Sequence, residues 1–183
     1  MSRPRVGVTA TERTGPVAGD DVVPDARLIA TRCIDIAAPP PRVFPWLRQM
    51  GFGRAGWYSW DILDNLGRRS AMTIHPEWQQ LAAGDVVPGG PVDFVASVVD
   101  SPRALVIVLG GAGRVARRVP FSLGYELREA EVNGVPGTRL VSRVRARVDA
   151  PGGRLIERIL LGPGDAVMVR RQLCNVARRV ESA

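Results

Sequence analysis

The chain has 183 residues, with 25 basic against 18 acidic side chains and a formal net charge of +7. That length, with 45% apolar and 23% charged residues, is typical of one globular domain and excludes wholesale disorder. The sequence has no apolar run of roughly eighteen residues and no apolar core of a secretory signal near its start. We therefore expect a cytoplasmic protein without membrane insertion.

The ionisable residues exclude several kinds of chemistry. All the basic residues counted above are arginine, so a lysine Schiff base, a P-loop lysine and a kinase-type lysine are impossible. One histidine and two cysteines, Cys33 and Cys174, do not supply a conventional zinc cage, and we expect two free thiols, no metal and no cofactor. The arginines are spread along the chain, so we expect no nucleic-acid partner despite a pI of about 11.

The first third of the chain predicts an arm, a strand and two short helices. Residues 1–24 show little apolar periodicity and are interpreted as a flexible or loosely draped arm, and residues 25–183 as a single domain. Residues 27–36 are rich in β-branched side chains and predict a strand. Prolines then permit a helix start, which predicts a helix over 41–50, and apolar residues at three-residue intervals predict another over 57–67.

From residue 85 the apolar period changes to two, which is typical of antiparallel strands. Strands are predicted within 90–100 and 103–110 and as a hairpin over 122–150, with turn chemistry at Asn133-Gly134 and Pro136-Gly137. The returning strand of the hairpin has one apolar face and one face of arginines, which we interpret as solvated: Arg139, Arg143, Arg145 and Arg147.

An apolar stripe predicts a long C-terminal helix that begins at Gly164 or Asp165. This order of elements predicts an α+β fold, in which a curved antiparallel sheet wraps around the last helix. Residues 111–116 match G-x-G-x-x-A, but the chain leaves too little room for the helix that a dinucleotide site needs. We favour a glycine-rich hairpin or lid there.

A sheet that grips one helix leaves space for an apolar ligand between them. Alternation along the strands places the hydroxyl groups of Tyr125 and Ser142 in that space. We also expect the polar side chain of Gln172, from the last helix, to face it. The predicted apolar lining is Phe94, Phe121, Leu123, Val144, Met168 and Leu173.

Four aromatic side chains lie close together in the sequence: Trp57, Tyr58, Trp60 and Trp78. Their rings could stack on a flat polycyclic ligand, with Tyr58 beside an opening, although packing is the favoured interpretation for Trp60 and Trp78.

His75 is the obvious acid/base candidate, because an imidazole titrates near neutrality. Its His-Pro-Glu-Trp context favours a loop anchor instead. For Asp61 and Asp64, we favour ion pairs with nearby arginines over a catalytic or metal-binding pair. The partners considered are Arg54, Arg68 and Arg69.

Three segments carry a resemblance to a known family: GFGRAGWYSWDILDNLGRRSA, IHPEWQQLAAGDVVP and GTRLVSRVRAR. They are similar to the actinobacterial branch of the START-like, or SRPBCC, superfamily, often labelled polyketide cyclase/dehydrase or lipid-transport-like. The resemblance covers residues 27–182 and implies a helix-grip fold with a deep cavity between the sheet and the last helix.

The resemblance implies that the chain binds a polyketide-like, aromatic or acyl molecule. We expect a monomer or a homodimer. An enzyme of this kind would direct cyclisation or dehydration without a cofactor, and Tyr58, His75 and Ser142 are the candidate catalytic residues. The alternative is a non-catalytic carrier or sensor. A third hypothesis is an interaction protein that uses the arginine-rich sheet face on an anionic surface.

Overall fold

Six antiparallel strands form one sheet, and the chain ends in a long helix packed on that sheet. The computed structural model describes residues 6–110, 118–157 and 162–183, and of Leu63, Ile156 and 162–166 it describes the backbone alone. The helices are α1 (Ala10–Thr14), α2 (Pro40–Arg48), α3 (Asp61–Asp64), α4 (Gly153–Ile156) and α5 (Gly162–Ser182), with a 3₁₀ turn at Pro76–Trp78. The strands are β1 (Leu28–Ile36), β2 (Val86–Val87), β3 (Phe94–Asp100), β4 (Ala104–Leu109), β5 (Phe121–Val132) and β6 (Val135–Ala146).

The strand order is β1-β6-β5-β4-β3-β2, so the first strand closes against the last. Strands β2 to β6 follow one another as a meander, and β1 pairs with β6 from Leu28 opposite Ala146 to Ile36 opposite Thr138. The helix α5 packs on β1 and α2. This architecture confirms the predicted α+β helix-grip fold.

The β5–β6 hairpin turns where the sequence predicts it. Asn133 and Gly134 adopt φ values of 55° and 80°, the left-handed pair that a two-residue type I′ turn requires. Pro136 and Gly137, which we also expected in the turn, lie inside β6 instead. A Cβ at Gly137 would meet Val132 at 2.6 Å and the Ile36 carbonyl oxygen at 2.7 Å, so only glycine fits this part of the strand.

The helix predicted over 57–67 is wrong in extent. Only the single turn α3 is helical, because the backbone leaves helical geometry on both sides of it. Tyr58 and Leu66 have φ values of 58° and 50°, which an α-helix does not accommodate. The three-residue spacing of apolar side chains therefore belongs to an irregular loop.

The inner face of the sheet, which faces α5, carries the main hydrophobic core. On β6 the even-numbered residues point inward, as the alternation predicts, and Leu140 and Val144 are buried against α5 and α2. The helices contribute the apolar stripes expected of them, namely Val43, Phe44, Trp46 and Leu47 from α2 and Val169, Leu173, Val176, Ala177 and Val180 from α5.

The interpretation of the arginine face as solvated is wrong, because residues 6–26 lie across it. Only 4% of the Arg143 side chain is exposed, and its guanidinium donates to Asp20 Oδ2 (2.6 Å), Thr31 Oγ1 (2.9 Å) and the Glu12 carbonyl oxygen (2.7 Å). Arg145 donates to the Val23 carbonyl oxygen at 2.9 Å. A guanidinium offers five donors, so these arginines can hold a loop with many free carbonyls against the sheet.

Two further contacts hold residues 6–26 against the outer face of the sheet. Arg139 donates to both carboxylate oxygens of Glu12 (2.7 and 2.8 Å) and to Asp35 Oδ1 (2.9 Å). The Ala18 carbonyl lies so close to Gly124 on β5 that a Cβ there would collide with it. The outer face is thus a packed layer of ion pairs and backbone contacts, and the expected flexibility of residues 1–24 stays a prediction.

Candidate functional site

The candidate binding site is an aromatic cluster at one end of the inner sheet face. The Trp57 and Phe94 rings meet edge to face with centroids 5.5 Å apart, and the Phe94 and Phe121 centroids are 5.8 Å apart. Trp57 is buried, whereas Phe94 and Phe121 are half-buried. Apolar rings that stay partly exposed at the border of a core offer contact area to a ligand.

The strand register places both phenylalanines at the same end of the sheet. Phe94 begins β3 opposite Leu109, and Phe121 begins β5 opposite Ala146 at the end of β6. The opposite end holds the last turn of α5, where Glu181 Oε1 accepts from the Ala37 N–H at 3.0 Å. The first half of α5, with the partly exposed Met168, therefore lies toward the phenylalanines.

The remaining predicted lining residues join the same core. Leu123, Val144 and Leu173 are buried there. Of the predicted apolar lining, these three have the least accessible surface to offer, whereas Phe94, Phe121 and Met168 remain partly exposed.

Two of the three polar residues predicted to face the ligand space, Tyr125 and Gln172, are hydrogen-bonded to each other. The Tyr125 hydroxyl donates to Gln172 Oε1 at 2.6 Å, and Gln172 Nε2 donates to the Trp57 carbonyl oxygen at 2.8 Å. All three residues are buried. This chain of hydrogen bonds joins β5, α5 and the loop after α2, so Tyr125 and Gln172 act first as a structural link that holds Trp57 in place.

Ser142 differs from these two. It lies directly opposite Tyr125 in the β5–β6 register and is 1% exposed. Its Oγ is buried and has no hydrogen-bond partner among the described residues. A buried hydroxyl without a partner costs free energy, so Ser142 is the polar group at this face that a bound molecule could satisfy.

Tyr58 does not lie beside an opening, contrary to our expectation. Its side chain is fully buried, its ring packs edge-on against Trp46 at 6.2 Å, and Arg179 lies over the ring at 4.8 Å. Gln49 Nε2 donates to its hydroxyl oxygen at 2.6 Å. Burial raises the pKa of Tyr58 to about 12, which makes its hydroxyl a poor proton donor near neutral pH.

His75 has the contacts of a loop anchor, in line with the interpretation that we favoured. Its ring packs on Trp78 with centroids 4.4 Å apart, Nδ1 lies 3.2 Å from Glu77 Oε1, and its backbone N–H donates to Gln49 Oε1 at 3.0 Å. These contacts fix the loop on α2 through Gln49. They do not place His75 beside Tyr125, Ser142 or the aromatic cluster.

Trp60 lies at the surface with its ring under the Arg171 guanidinium, 3.9 Å away. The packing interpretation of Trp60 fits this contact.

The expected ion pairs of Asp61 and Asp64 are not those the structure shows. Asp61 Oδ1 accepts from the Ser70 hydroxyl at 2.5 Å, and Asp64 Oδ2 accepts from the Trp60 N–H at 3.1 Å. Arg54, one expected partner, instead donates to the Trp78 carbonyl oxygen at 3.0 Å. Both carboxylates thus close local turns.

Sequence reasoning missed Gln49, which is fully buried and connects three segments. Besides its contacts with Tyr58 and His75, its Nε2 donates to the Thr73 carbonyl oxygen at 3.1 Å. A glutamine at the end of an amphipathic helix carries no periodic signal. Its role depends on partners that follow up to 30 residues later.

Within residues 6–110, 118–157 and 162–183, no group of three or more His, Cys, Asp or Glu side chains could hold a metal ion. Over those same ranges, no helix has the length and apolar character needed to cross a membrane. The glycine-rich motif at 111–116 lies outside the described residues.

No family model and no curated protein matches the chain. Among solved structures, it is similar to the protein DR_A0006 from Deinococcus radiodurans (14% identity, TM-score 0.46, 85% of this chain and 98% of that one). It is also similar to norcoclaurine synthase from Thalictrum flavum (13% identity, TM-score 0.45, 85% and 94%) and to a conserved protein from Geobacillus kaustophilus (11%, 0.48, 85% and 96%). At these values the similarity assigns neither a family nor a function to this chain.

Proposed function

We propose that the protein binds an apolar, aromatic or acyl small molecule at the Phe94–Phe121 end of the inner sheet face and acts as its carrier or sensor. The observation that carries the proposal is the cluster of Trp57 with two half-buried phenylalanines on the border of the core. A ligand that covers both phenylalanine rings would remove further apolar surface from water, which favours binding.

The arrangement of the polar residues favours binding over catalysis. Tyr58 and His75 both contact Gln49, whereas Ser142 lies opposite Tyr125, so the three candidate catalytic residues are not drawn together by shared contacts. General acid–base chemistry needs a proton donor or acceptor within hydrogen-bond reach of the reacting atom. Among the described residues of the inner sheet face, Ser142 is the one whose buried hydroxyl lacks a partner. A hydroxyl without a base can orient a carbonyl but does not readily transfer its proton.

A second candidate function rests on that same hydroxyl. In it, Ser142 polarises a carbonyl of a polyketide-like substrate, and the apolar wall imposes the folding that leads to cyclisation or dehydration. The two candidates differ in turnover, because a carrier releases the molecule that it bound.

The test combines native mass spectrometry of the purified protein with titration of the apolar fluorescent probe 1-anilinonaphthalene-8-sulfonate. We expect one probe to bind per chain and the affinity to fall about tenfold in Phe94→Ala and in Phe121→Ala, since each removes most of one phenylalanine contact.

Val99→Ala is the control, because Val99 is also a half-buried apolar residue packed on the core but lies near the other end of β3, opposite Leu105. Thermal melts confirm that each variant is folded. Equal affinity in all four proteins would refute the proposed site. The protein could instead convert a co-purifying molecule into a different compound. If Ser142→Ala abolishes that conversion but not the binding, the second candidate function, an enzyme, is supported over the carrier.

A further inference from the structure

The loop formed by residues 60–74 exposes more apolar surface than a single scattered side chain would. Ile62, Leu66 and Met72 are 80%, 77% and 67% exposed, and Trp60 and Ile74 are also exposed. Single exposed apolar residues are normal on protein surfaces, whereas several within one loop are typical of an interaction site.

The polar groups of the loop form hydrogen bonds within the protein, and these hold the loop in place. Besides the Ser70 hydroxyl, Asp61 Oδ1 accepts from the Ser70 N–H at 3.2 Å, and Asn65 Nδ2 donates to the Arg68 carbonyl oxygen at 2.9 Å. Arg179 on α5 donates to the Ala71 carbonyl oxygen at 2.8 Å. The loop is thus fastened to itself and to the helix by hydrogen bonds.

The backbone at Leu66 directs its apolar side chain into solvent. It has a φ of 50° and is followed by Gly67 at 78°, a sharp turn that carries the leucine side chain into solvent. Left-handed backbone is unfavourable for a leucine and favours glycine or asparagine. The leucine side chain therefore adds exposed apolar surface at a position whose backbone conformation favours other residue types.

The outward charge of the loop is positive. Arg68 and Arg69 are exposed, whereas Asp61 and Asp64 are half-buried and accept hydrogen bonds within the loop. Burial raises the pKa of Asp64. A third cation, Arg171, sits over the Trp60 ring.

We propose that the 60–74 loop docks on the surface of an anionic lipid bilayer, which departs from the sequence-based expectation of no membrane insertion. The three protruding apolar side chains would enter the boundary between headgroups and acyl chains, and Arg68 and Arg69 would pair with lipid phosphates. A bilayer accepts protrusions of any shape, whereas a protein partner needs a matching pocket for each. The exposed pair of arginines selects an anionic surface over a neutral one.

Flotation with phosphatidylcholine vesicles, with and without phosphatidylglycerol, tests this docking on the full chain. We expect binding to the anionic vesicles that weakens with added salt. Ile62→Ser/Leu66→Ser should weaken partitioning by about tenfold or more, because both side chains lose their transfer into the interface. Arg68→Gln/Arg69→Gln should weaken binding to the anionic vesicles and flatten its salt dependence.

Val135→Ser/Arg42→Gln is the matched control, since both residues are exposed elsewhere on the chain, and it should bind as the wild type does. The same samples are run on size-exclusion chromatography with light scattering and in thermal melts. Absence of vesicle binding by the wild type, or unchanged binding by folded Ile62→Ser/Leu66→Ser, would overturn the proposal. A dimer that this variant dissociates, without vesicle binding, would assign the loop to a second copy of the chain instead.

Discussion

The two faces of the sheet use the same strands for opposite purposes, and adjacent residues of β6 show the contrast. Ser142 faces inward, and its buried hydroxyl has no partner among the described residues. Arg143 faces outward, and its guanidinium donates to oxygens from five different residues: Glu12, Arg13, Gly15, Asp20 and Thr31. The outer face is thus fastened by polar contacts, whereas the inner face keeps an apolar surface with a polar group left over.

This difference separates what stabilises the protein from what is available to bind. Side chains whose hydrogen bonds are complete inside the fold have little to offer a ligand. The third hypothesis, an interaction through the arginine-rich sheet face, loses its support for this reason, since residues 6–26 already occupy those guanidinium groups. Among the described residues, the half-buried phenylalanines of the inner face and the exposed apolar side chains of the 60–74 loop are not covered in this way.

The largest effect should follow from breaking the outer face. Arg143→Ala removes the shortest of the ion pairs to Asp20 and a donor to several backbone carbonyls, and we expect a loss of about 3 kcal/mol in the free energy of unfolding. Urea denaturation measures it, and faster protease cleavage within residues 6–26 should accompany it. Arg147→Ala, at the more exposed end of the same row, should cost under about 1 kcal/mol. Similar losses in the two variants would contradict the comparison.

Acid should lower the free energy of unfolding through the ion pairs of the outer face, and the inner face offers no comparable ion pair among the described residues. The hydrogen bonds from Arg139 lower the pKa of Glu12 from 4.5 to about 2. The folded state therefore binds the proton more weakly than the unfolded state, so the stabilisation is present above pH 4.5 and is lost as the pH falls toward 2.

We expect wild type to exceed Glu12→Gln in unfolding free energy by on the order of 2 kcal/mol at neutral pH, with the difference vanishing at the acid end. Chemical denaturation across this range measures it. Glu131→Gln, which alters an exposed glutamate of β5, is the control and should be about as stable as the wild type at neutral pH. A constant gap between wild type and Glu12→Gln would contradict the assigned ion pair.

On the inner face, Tyr125→Phe should cost about 1 kcal/mol, because it removes the donor to the buried Gln172 Oε1. A double-mutant cycle with Gln172→Leu isolates the pair, and the double variant should lose less than the sum of the two single losses. Additive losses would mean that this hydrogen bond does not link the sheet to α5.

The smallest effect should come from Ser142→Ala, which we expect to leave the unfolding free energy unchanged or to raise it by up to about 1 kcal/mol, since no hydrogen bond is broken. Thr138→Val is the matched control on the same strand and face. Its Oγ1 donates to the Ala38 carbonyl oxygen at 2.6 Å, so this variant should lose about 1 kcal/mol. A clear loss in Ser142→Ala would show that Ser142 has a structural partner.

The sequence by itself determined the elements whose signals are local. Alternation along β6, the Asn133-Gly134 turn and the apolar stripe of α5 depend on neighbouring residues, because strand and helix periods are properties of the local backbone. The same alternation brought Phe94, Phe121 and Ser142 to the inner face. The helix predicted over 57–67 was wrong in extent, because this loop repeats apolar residues at three-residue intervals without being helical.

Only the tertiary structure decided which polar groups remain available. Tyr125 bonds a residue 47 positions away, and Arg143 bonds the backbone of residues more than 120 positions away. Hydrogen bonds of this range depend on how the chain folds back on itself, and the pattern of one strand does not encode its distant partners. The covering of the arginine face, the burial of Tyr58 and the isolation of the Ser142 hydroxyl all follow from such contacts.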